Sequence, residues 1–369
     1  MTSFVDNDRK YTPTVKAYKN PDFLNSSQAR HIRIMCEYEE TMLRLKKHKI
    51  KATLLFFGSA RAKCRADWET AVKDAEVEVQ AAKDGEAREK AEKNLTKWKK
   101  CEWMAESTDK VQELARMLTA WAISPDCGME DSISGVTRYH FTDPRYVKHP
   151  RKLGANLPSY SILEGPENTP GEDEIRQSVV VCTGGGPGFM EAANRGAAQV
   201  PGAKNMGMGI TLPFEDGLNK YVTEELAFEF HYFFTRKFWM VYHCQALIVA
   251  PGGFGTLDEL FEVLTLKQTG KIQKTLPVVL FGKDYWTSII NWQVMVDYGT
   301  IAQEDVDSLF FTDDATEAFD YLCESLVKNS KEAAKGEAVA SSAMSLNEEM
   351  ENWRRDQAAK EALKETETA

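Results

Sequence analysis

Residues 232–271 decide the fold, and their sequence is YFFTRKFWMVYHCQALIVAPGGFGTLDELFEVLTLKQTGK. The pattern predicts a helix that carries Arg236 and Lys237, followed by a buried strand at Ala246–Ala250. The turn Pro251–Gly255 comes next and opens directly into a second helix. A strand, a glycine turn and a helix in this order present unpaired backbone N–H groups and the positive end of a helix to an anion, most often a phosphate. The stretch therefore predicts a phosphate site in an α/β fold.

The composition excludes several classes of protein. The chain has 369 residues, 43% of them hydrophobic, and a formal net charge of -10. That charge argues against a nucleic-acid partner, because phosphate backbones are bound by clustered Lys and Arg. The seven cysteines are dispersed without a C-x-x-C pair, which is typical of free thiols in a reducing compartment. With no signal-peptide pattern and no apolar run near the roughly 18 residues of a membrane span, we expect a cytoplasmic protein without a membrane partner.

Buried strands alternate with helices on both sides of the opening stretch. Five strands are predicted, at Lys51–Phe57, Ser178–Thr183, Met206–Leu212, Ala246–Ala250 and Leu276–Gly282. Further helices are predicted at Gln28–Lys49, Val111–Trp121, Phe189–Gln199, Tyr285–Tyr298 and Thr316–Lys328. Apolar strands that alternate with helices predict an α/β fold with a parallel sheet covered on both faces.

The domain organisation follows from shifts in composition. Residues 1–50 form an N-terminal extension with one helix, 51–330 the α/β domain, and 331–369 a charged tail. Two insertions interrupt the domain. Residues 63–110 are rich in Ala, Glu and Lys and predict a solvated helical hairpin. Residues 124–176 lack periodicity, so they are either a functional cover or a disordered insertion.

A first glycine cluster, Gly184–Gly188, follows a predicted strand and precedes a predicted helix. This is the context that a phosphate loop requires, although a tight turn alone also explains the glycines. The spacing is not G-x-G-x-x-G, and Lys204-Asn205 stand where a dinucleotide site carries an acidic residue. The cluster therefore suits a mononucleotide better than NAD. Gly58-Ser59 ends another strand and predicts a further ligand-facing loop.

The second helix of the opening stretch carries the candidate acid. Thr256 and Glu259 have the spacing of a capping box, with Thr256 as N-cap and Glu259 in the first turn, where the helix dipole favours the ionised carboxylate. Capping alone explains the pair. An ionised carboxylate beside a ribosyl carbon also activates water or stabilises an oxocarbenium-like transition state. Arg236 stands among aromatic and apolar neighbours, and its guanidinium suits a phosphate or a departing base.

The Arg236-Lys237 pair and the motif P-G-G-x-G-T-x-x-E at Pro251–Glu259 closely resemble the LONELY GUY family, the cytokinin riboside 5′-monophosphate phosphoribohydrolases once labelled lysine decarboxylases. GSAR at 58–61 and GGGPGFMEAANRGA at 184–197 resemble the longer, bacterial-type members. The resemblance implies a Rossmann-like, doubly wound fold, a homodimer with its active site near the subunit interface, and no metal or redox cofactor. It implies that Glu259 and Arg236 are catalytic. It implies that substrate and phosphate are bound by Lys237, Gly58, Ser59, Gly184, Gly185, Gly186, Gly188, Met190, Gly252, Gly253, Gly255, Thr256 and Glu262.

The expected reaction is hydrolysis of the N-glycosidic bond of a nucleoside 5′-monophosphate, such as an N6-modified AMP, to free base and ribose 5-phosphate. Two alternatives stay open. One is a general purine or pyrimidine nucleotide nucleosidase of salvage, and the other is a non-catalytic carrier of a nucleotide or of the molybdenum cofactor. Pyridoxal-dependent decarboxylation is disfavoured, because the sequence offers no recognisable Schiff-base lysine.

Overall fold

The computed structural model describes residues 14–83, 85–124, 127, 177–211, 217–272 and 275–340. Most of the predicted insertion at 124–176 and most of the predicted tail at 331–369 lie outside these residues. The strands are β1 Ala52–Phe57, β2 Val179–Thr183, β3 Asn205–Ile210, β4 Ala227–Phe230, β5 Cys244–Val249, β6 Val278–Phe281 and β7 Leu309–Thr312. They form one sheet in the order β4-β3-β2-β1-β5-β6-β7. Every neighbouring pair is parallel, which confirms the predicted fold class.

Helices connect the strands and cover the sheet. In chain order they are α1 Pro21–Leu24, α2 Arg30–Lys47, α3 Arg65–Ala81, α4 Glu86–Lys100, α5 Met104–Ala122, α6 Phe189–Ala198, α7 Phe233–Tyr242, α8 Phe254–Gln268, α9 Lys283–Ile289, α10 Trp292–Asp297, α11 Gln303–Asp307 and α12 Ala315–Ala340. Short 3-10 helices lie at Ala17–Lys19, Ser27–Ala29 and Glu224–Leu226. Within the described ranges, no helix has both the length and the apolar character needed to cross a membrane.

Two apolar cores lie on opposite faces of the sheet, because side chains alternate along each strand. On β1, Leu54 and Phe56 belong to the core formed with α5, α6 and α12. Leu55 and Phe57 belong to the core formed with α2, α7, α8 and α9. Since all six residues of β1 are buried, this strand is the centre of the domain.

The sequence prediction differs from the structure at the edges of the sheet. The described residues form seven strands where five were predicted, and the two missed strands, β4 and β7, are the outermost ones of the sheet. Each has only four residues and is buried in part, so neither produces the long apolar run that marks the central strands. The predicted helix Tyr285–Tyr298 is two helices, α9 and α10, separated by Ile290 and Asn291. Helix α12 continues to Ala340, beyond the predicted boundary at residue 330.

The predicted helical hairpin is present, but its last part belongs to the core. Helices α3 and α4 pair through the Trp68 indole N–H, which donates to the carbonyl of Trp98 at 2.8 Å. Helix α5 begins at Met104 and not at the predicted Val111, and both side chains are buried. A salt bridge of 2.9 Å joins Asp67 of α3 to Arg195 of α6. The hairpin is therefore tied to the α/β domain at its base.

Candidate active site

The candidate site lies where the sheet reverses its order. From β1 the chain adds β2, β3 and β4 on one side and β5, β6 and β7 on the other, so the crevice between the ends of β1 and β5 is the topological switch point. Ligands of open α/β sheets bind in this crevice. Here the Ser59 N–H donates to the Pro251 carbonyl at 2.9 Å, and the Phe189 N–H donates to the Ser59 carbonyl at 3.2 Å. These bonds join the loops after β1, β2 and β5, so the three predicted glycine loops meet at one edge of the sheet.

The contacts between these loops are too close for side chains. Gly188 has a φ of 78°, and a Cβ there would lie 2.1 Å from the Ser59 carbonyl oxygen. A Cβ on Gly58 would lie 2.7 Å from the Phe189 side chain. Both glycines are therefore required by backbone packing at the junction of the loops.

Arg236 lies on α7, which packs in the core formed with α2, α8 and α9. Its side chain extends from there to the junction of the three glycine loops. Its guanidinium is buried, its Nε donates to the Met208 carbonyl at 2.7 Å, and its Nη1 lies 3.3 Å from Oε1 of Glu259. A Cβ on Gly184 would lie 2.6 Å from Arg236 Nη2 and 2.9 Å from Met190 Sδ. The structure thus brings together four of the predicted site residues, from α6, α7, α8 and the first glycine loop.

Glu259 is a buried acid whose carboxylate is only partly hydrogen-bonded. Only 5% of the residue is exposed, and Oε2 has no hydrogen-bond partner among the described residues. Burial raises the pKa of Glu259 to about 7, against the opposing effect of the nearby Arg236 and Lys237 charges. A carboxyl group with such a pKa exchanges protons readily near neutral pH.

The predicted capping box at Thr256 and Glu259 is wrong. Helix α8 begins at Phe254 with Gly253 as its N-cap, and no side chain caps it. Thr256 is therefore the third residue of the helix, and Glu259 is the sixth, in the second turn. The expectation that the helix dipole keeps Glu259 ionised is also wrong, because burial raises its pKa.

The second glycine loop presents the start of α8 to the crevice. Gly253 and Gly255 are exposed there, whereas Gly252 and Thr256 are buried against each other. The first N–H groups of a helix have no acceptor within the helix, and they attract anions. The exposed start of α8 is thus where the predicted phosphate site would lie.

Lys237 and Glu262 are oriented differently from the other predicted site residues. Lys237 Nζ lies 2.7 Å from Asp258 Oδ2 and 2.9 Å from Glu262 Oε2. Burial lowers the pKa of Lys237, but hydrogen bonds to these carboxylates outweigh burial and raise it. The three side chains line a groove of about 1000 Å³ between α7 and α8, together with Phe238 and Phe254. They are thus part of a surface beside the buried Arg236–Glu259 pair.

A buried amide network, which the sequence analysis missed, supports the first glycine loop. The Asn194 carboxamide oxygen accepts from the Thr183 hydroxyl at 2.7 Å and from Asn219 Nδ2 at 2.9 Å. Asn219 Nδ2 also donates to the Gly185 carbonyl at 3.1 Å, and the Gly185 N–H donates to Thr183 Oγ1 at 2.8 Å. The one sequence signal for this network is Asn194 itself, a polar residue on the buried, alanine-rich face of α6.

A second missed residue, Glu37 of α2, supports the start of α7. Its carboxylate accepts the His231 N–H at 2.8 Å and the hydroxyl of Thr235. Tyr232, the N-cap of α7, provides no side-chain cap of its own. Glu37 therefore stabilises the first turn of the helix that carries Arg236.

In the described part of the chain, no cluster of three or more His, Cys, Asp or Glu side chains is placed to hold a metal ion.

Fold and site together define a Rossmann-like α/β protein with a buried Glu–Arg pair beside three glycine loops. The family described as possible lysine decarboxylase matches residues 190–322. Two curated relatives are the cytokinin riboside 5′-monophosphate phosphoribohydrolases LOG3 and LOG4 of Arabidopsis thaliana, each 45% identical over 58 residues, or 15% of this chain. The chain spans about a quarter of their length, 26% in each case. These matches confirm the predicted resemblance to the LONELY GUY family.

A search of solved structures also finds similarity to the molybdenum cofactor binding protein from the phototrophic bacterium Rippkaea orientalis. It is 19% identical, covers 41% of this chain and 76% of its own, and superposes with a TM-score of 0.27.

Proposed function

We propose that this protein hydrolyses the N-glycosidic bond of a nucleoside 5′-monophosphate, releasing the free base and ribose 5-phosphate. The observation that carries the proposal is the buried pair of Glu259 and Arg236 at the junction of three glycine loops. A phosphate needs N–H donors, which the loops provide, and glycosidic hydrolysis needs a carboxylate near the sugar. The two Arabidopsis relatives are named for this activity on cytokinin riboside 5′-monophosphates.

In the proposed mechanism, Glu259 acts as the general base. Its Oε2, which has no hydrogen-bond partner among the described residues, accepts a proton from the attacking water. The C1′–O bond forms while the bond from C1′ to the base nitrogen breaks, and the proton passes from Glu259 to the released base. A pKa of about 7 lets Glu259 take up and return this proton near neutral pH.

Arg236 compensates charge in the same step. Its Nε is held on the Met208 carbonyl, and its Nη1 lies beside Glu259. The guanidinium therefore keeps a positive charge next to a carboxylate that becomes neutral as the water is deprotonated. The same charge stabilises the electrons that accumulate on the departing base.

The substrate class is tested by base release from a panel of nucleotides. AMP and isopentenyladenosine monophosphate are incubated with the full chain, and free base is quantified by chromatography. We expect release from the prenylated nucleotide at far higher kcat/KM than from AMP. Equal cleavage of AMP, GMP and CMP would instead identify a general nucleotide nucleosidase. Tight nucleotide binding without any base release would contradict hydrolysis and leave a binding protein.

We also propose that the protein acts as a homodimer, with the groove between α7 and α8 covered by a second copy. Four phenylalanines on these helices are strongly exposed within the described structure, and Phe254 reaches 93% exposure. They are Phe233, Phe234, Phe238 and Phe254. A concentrated apolar surface of this kind is typical of a protein interface.

The dimer is tested by sedimentation of the full chain at micromolar concentration. We expect the wild type to sediment as a dimer and Phe254→Asp to sediment as a monomer, because a buried unpaired carboxylate opposes association. Val77→Asp, at an exposed apolar residue of α3, is the matched control and should leave the dimer intact. A monomeric wild type would refute the proposal.

A further inference from the structure

A tyrosine outside the motifs holds the second glycine loop. Tyr285, in α9, donates its hydroxyl to the Gly252 carbonyl oxygen at 2.7 Å. The loop is packed tightly at this point. A Cβ on Gly252 would lie 2.1 Å from Thr256 Oγ1, and a Cβ on Gly282, just before α9, would lie 2.8 Å from the Pro251 ring. Glycine has wide conformational freedom, so this hydrogen bond selects one orientation of the Gly252–Gly253 peptide.

That orientation determines where the next N–H group points. In a trans peptide the carbonyl oxygen and the following N–H lie on opposite sides of the chain. Because the Gly252 carbonyl is turned toward Tyr285, the Gly253 N–H is turned away from it. Gly253 is the N-cap of α8, so its N–H stands with the first N–H groups of the helix, which have no acceptor within it. The Tyr285 hydroxyl therefore sets the direction of a donor at the proposed phosphate site.

The helical insertion reaches this tyrosine. Trp103 lies between α4 and α5, and its indole stacks on the Tyr285 ring with centroids 5.4 Å apart and an interplanar angle of 22°. Trp103 is 51% exposed and belongs to neither apolar core. The Tyr285 ring also meets Trp286 edge-on at 5.3 Å. Tyr285 thus contacts both a buried indole and an indole supplied by the insertion.

We propose that Tyr285 is a positioning residue for the phosphate-binding turn Pro251–Gly255, and that Trp103 of the helical insertion holds Tyr285 in place. The inference rests on the proposed function for its ligand, a sugar 5′-phosphate. It gives the insertion a role in substrate affinity. Neither residue touches the reacting atoms, so both act on binding of the phosphate and not on the chemical step.

The test compares ligand affinity in full-length variants. Calorimetry with ribose 5-phosphate and with AMP is run in the Glu259→Gln background, where turnover is blocked. We expect Tyr285→Phe, which removes only the hydroxyl, to weaken binding of both ligands roughly tenfold, the equivalent of one hydrogen bond. Affinity for adenosine, which lacks the phosphate, should stay unchanged. With Glu259 restored, KM should rise by a similar factor while kcat changes less than about threefold.

Trp103 is tested in the same way. Trp103→Ala should weaken ribose 5-phosphate binding by a smaller factor, Trp103→Phe should restore it, and Trp103→Ala should add little in the Tyr285→Phe background, since both act through one hydrogen bond. Tyr321→Phe is the matched control, because Tyr321 stacks on Phe310 at 4.2 Å in another part of the domain. Trp103→Ala carries the test alone if Tyr285→Phe does not fold.

The outcomes separate the inference from the proposed function. Wild-type affinity for ribose 5-phosphate in both Tyr285→Phe and Trp103→Ala would overturn the inference while base release stood. Equal losses for adenosine and AMP would also overturn it, because they would indicate general disruption of the site. A parent chain that binds neither ribose 5-phosphate nor AMP would overturn the proposed function and the inference together.

Discussion

Arg236 and Lys237 are neighbours on one helix, yet each pairs with a carboxylate of α8 in a different environment. Arg236 meets Glu259 in the interior, where both residues are less than 10% exposed. Lys237 meets Asp258 and Glu262 in the groove, where the Asp258 side chain is 57% exposed. Desolvation raises the pKa of Glu259 to about 7, whereas the groove pair retains solvent. The difference indicates that burial, and not the presence of an ion pair, sets a carboxylate up for proton transfer.

The largest expected difference between the two ion pairs appears when each cation is removed in turn. We expect Arg236→Ala to lower kcat/KM for base release roughly 100- to 1000-fold, the usual effect of losing a positioned charge in a site. Lys237→Ala should lower it less than about tenfold, because its partly exposed ion pairs contribute little. Steady-state kinetics of both variants checks this. Equal losses in the two variants would contradict the distinction between interior and groove.

The pH dependence of the reaction reports on Glu259. A general base acts in its ionised form, so kcat/KM should rise about tenfold per pH unit below a pKa near 7 and level off above it. Rates measured from pH 5 to 9 test this. A kcat/KM that stays constant from pH 5 to 9 would indicate a carboxylate already ionised at pH 5, and would contradict the effect of burial.

The raised pKa of Glu259 also predicts that the free energy of unfolding depends on pH. The folded state holds the Glu259 proton up to about pH 7, whereas the unfolded chain releases it near pH 4.5. Between these values the folded state binds more protons, so the free energy of unfolding falls as pH rises. The loss is on the order of 3 kcal/mol, at about 1.4 kcal/mol per pKa unit. Urea unfolding of the wild type and Glu259→Gln should diverge across this window, and parallel curves would refute the prediction.

The sequence predicted the centre of the molecule better than its margins. The central strands are long, apolar runs followed by glycines, so both the sheet and the three loops were predictable from local pattern. Strands β4 and β7 were not, because four residues at a sheet edge produce no distinctive periodicity. Helix α8 begins at Phe254, before Thr256, and its N-cap Gly253 has no side chain, so no side-chain capping signal marks this start in the sequence.

Within the site, the sequence predicted which residues take part but not how deeply they are buried. Glu259 and Arg236 were chosen by motif, while the burial that raises the pKa of Glu259 depends on packing between α7, α8 and the first glycine loop. The supporting residues were missed because their partners are distant in sequence. Glu37 contacts a segment 194 residues away, and Asn194 bonds to Asn219 across 25 residues.

The central claim is that Glu259 in the buried pair with Arg236 performs the chemistry. Its most direct test is Glu259→Gln, which keeps the shape of the side chain and removes the base. Free base released from isopentenyladenosine monophosphate is measured beside nucleotide affinity, with Glu304→Gln, at an exposed glutamate of α11, as the control. We expect Glu259→Gln to bind the nucleotide and release no base, while Glu304→Gln behaves as wild type. Undiminished base release by Glu259→Gln would contradict the account.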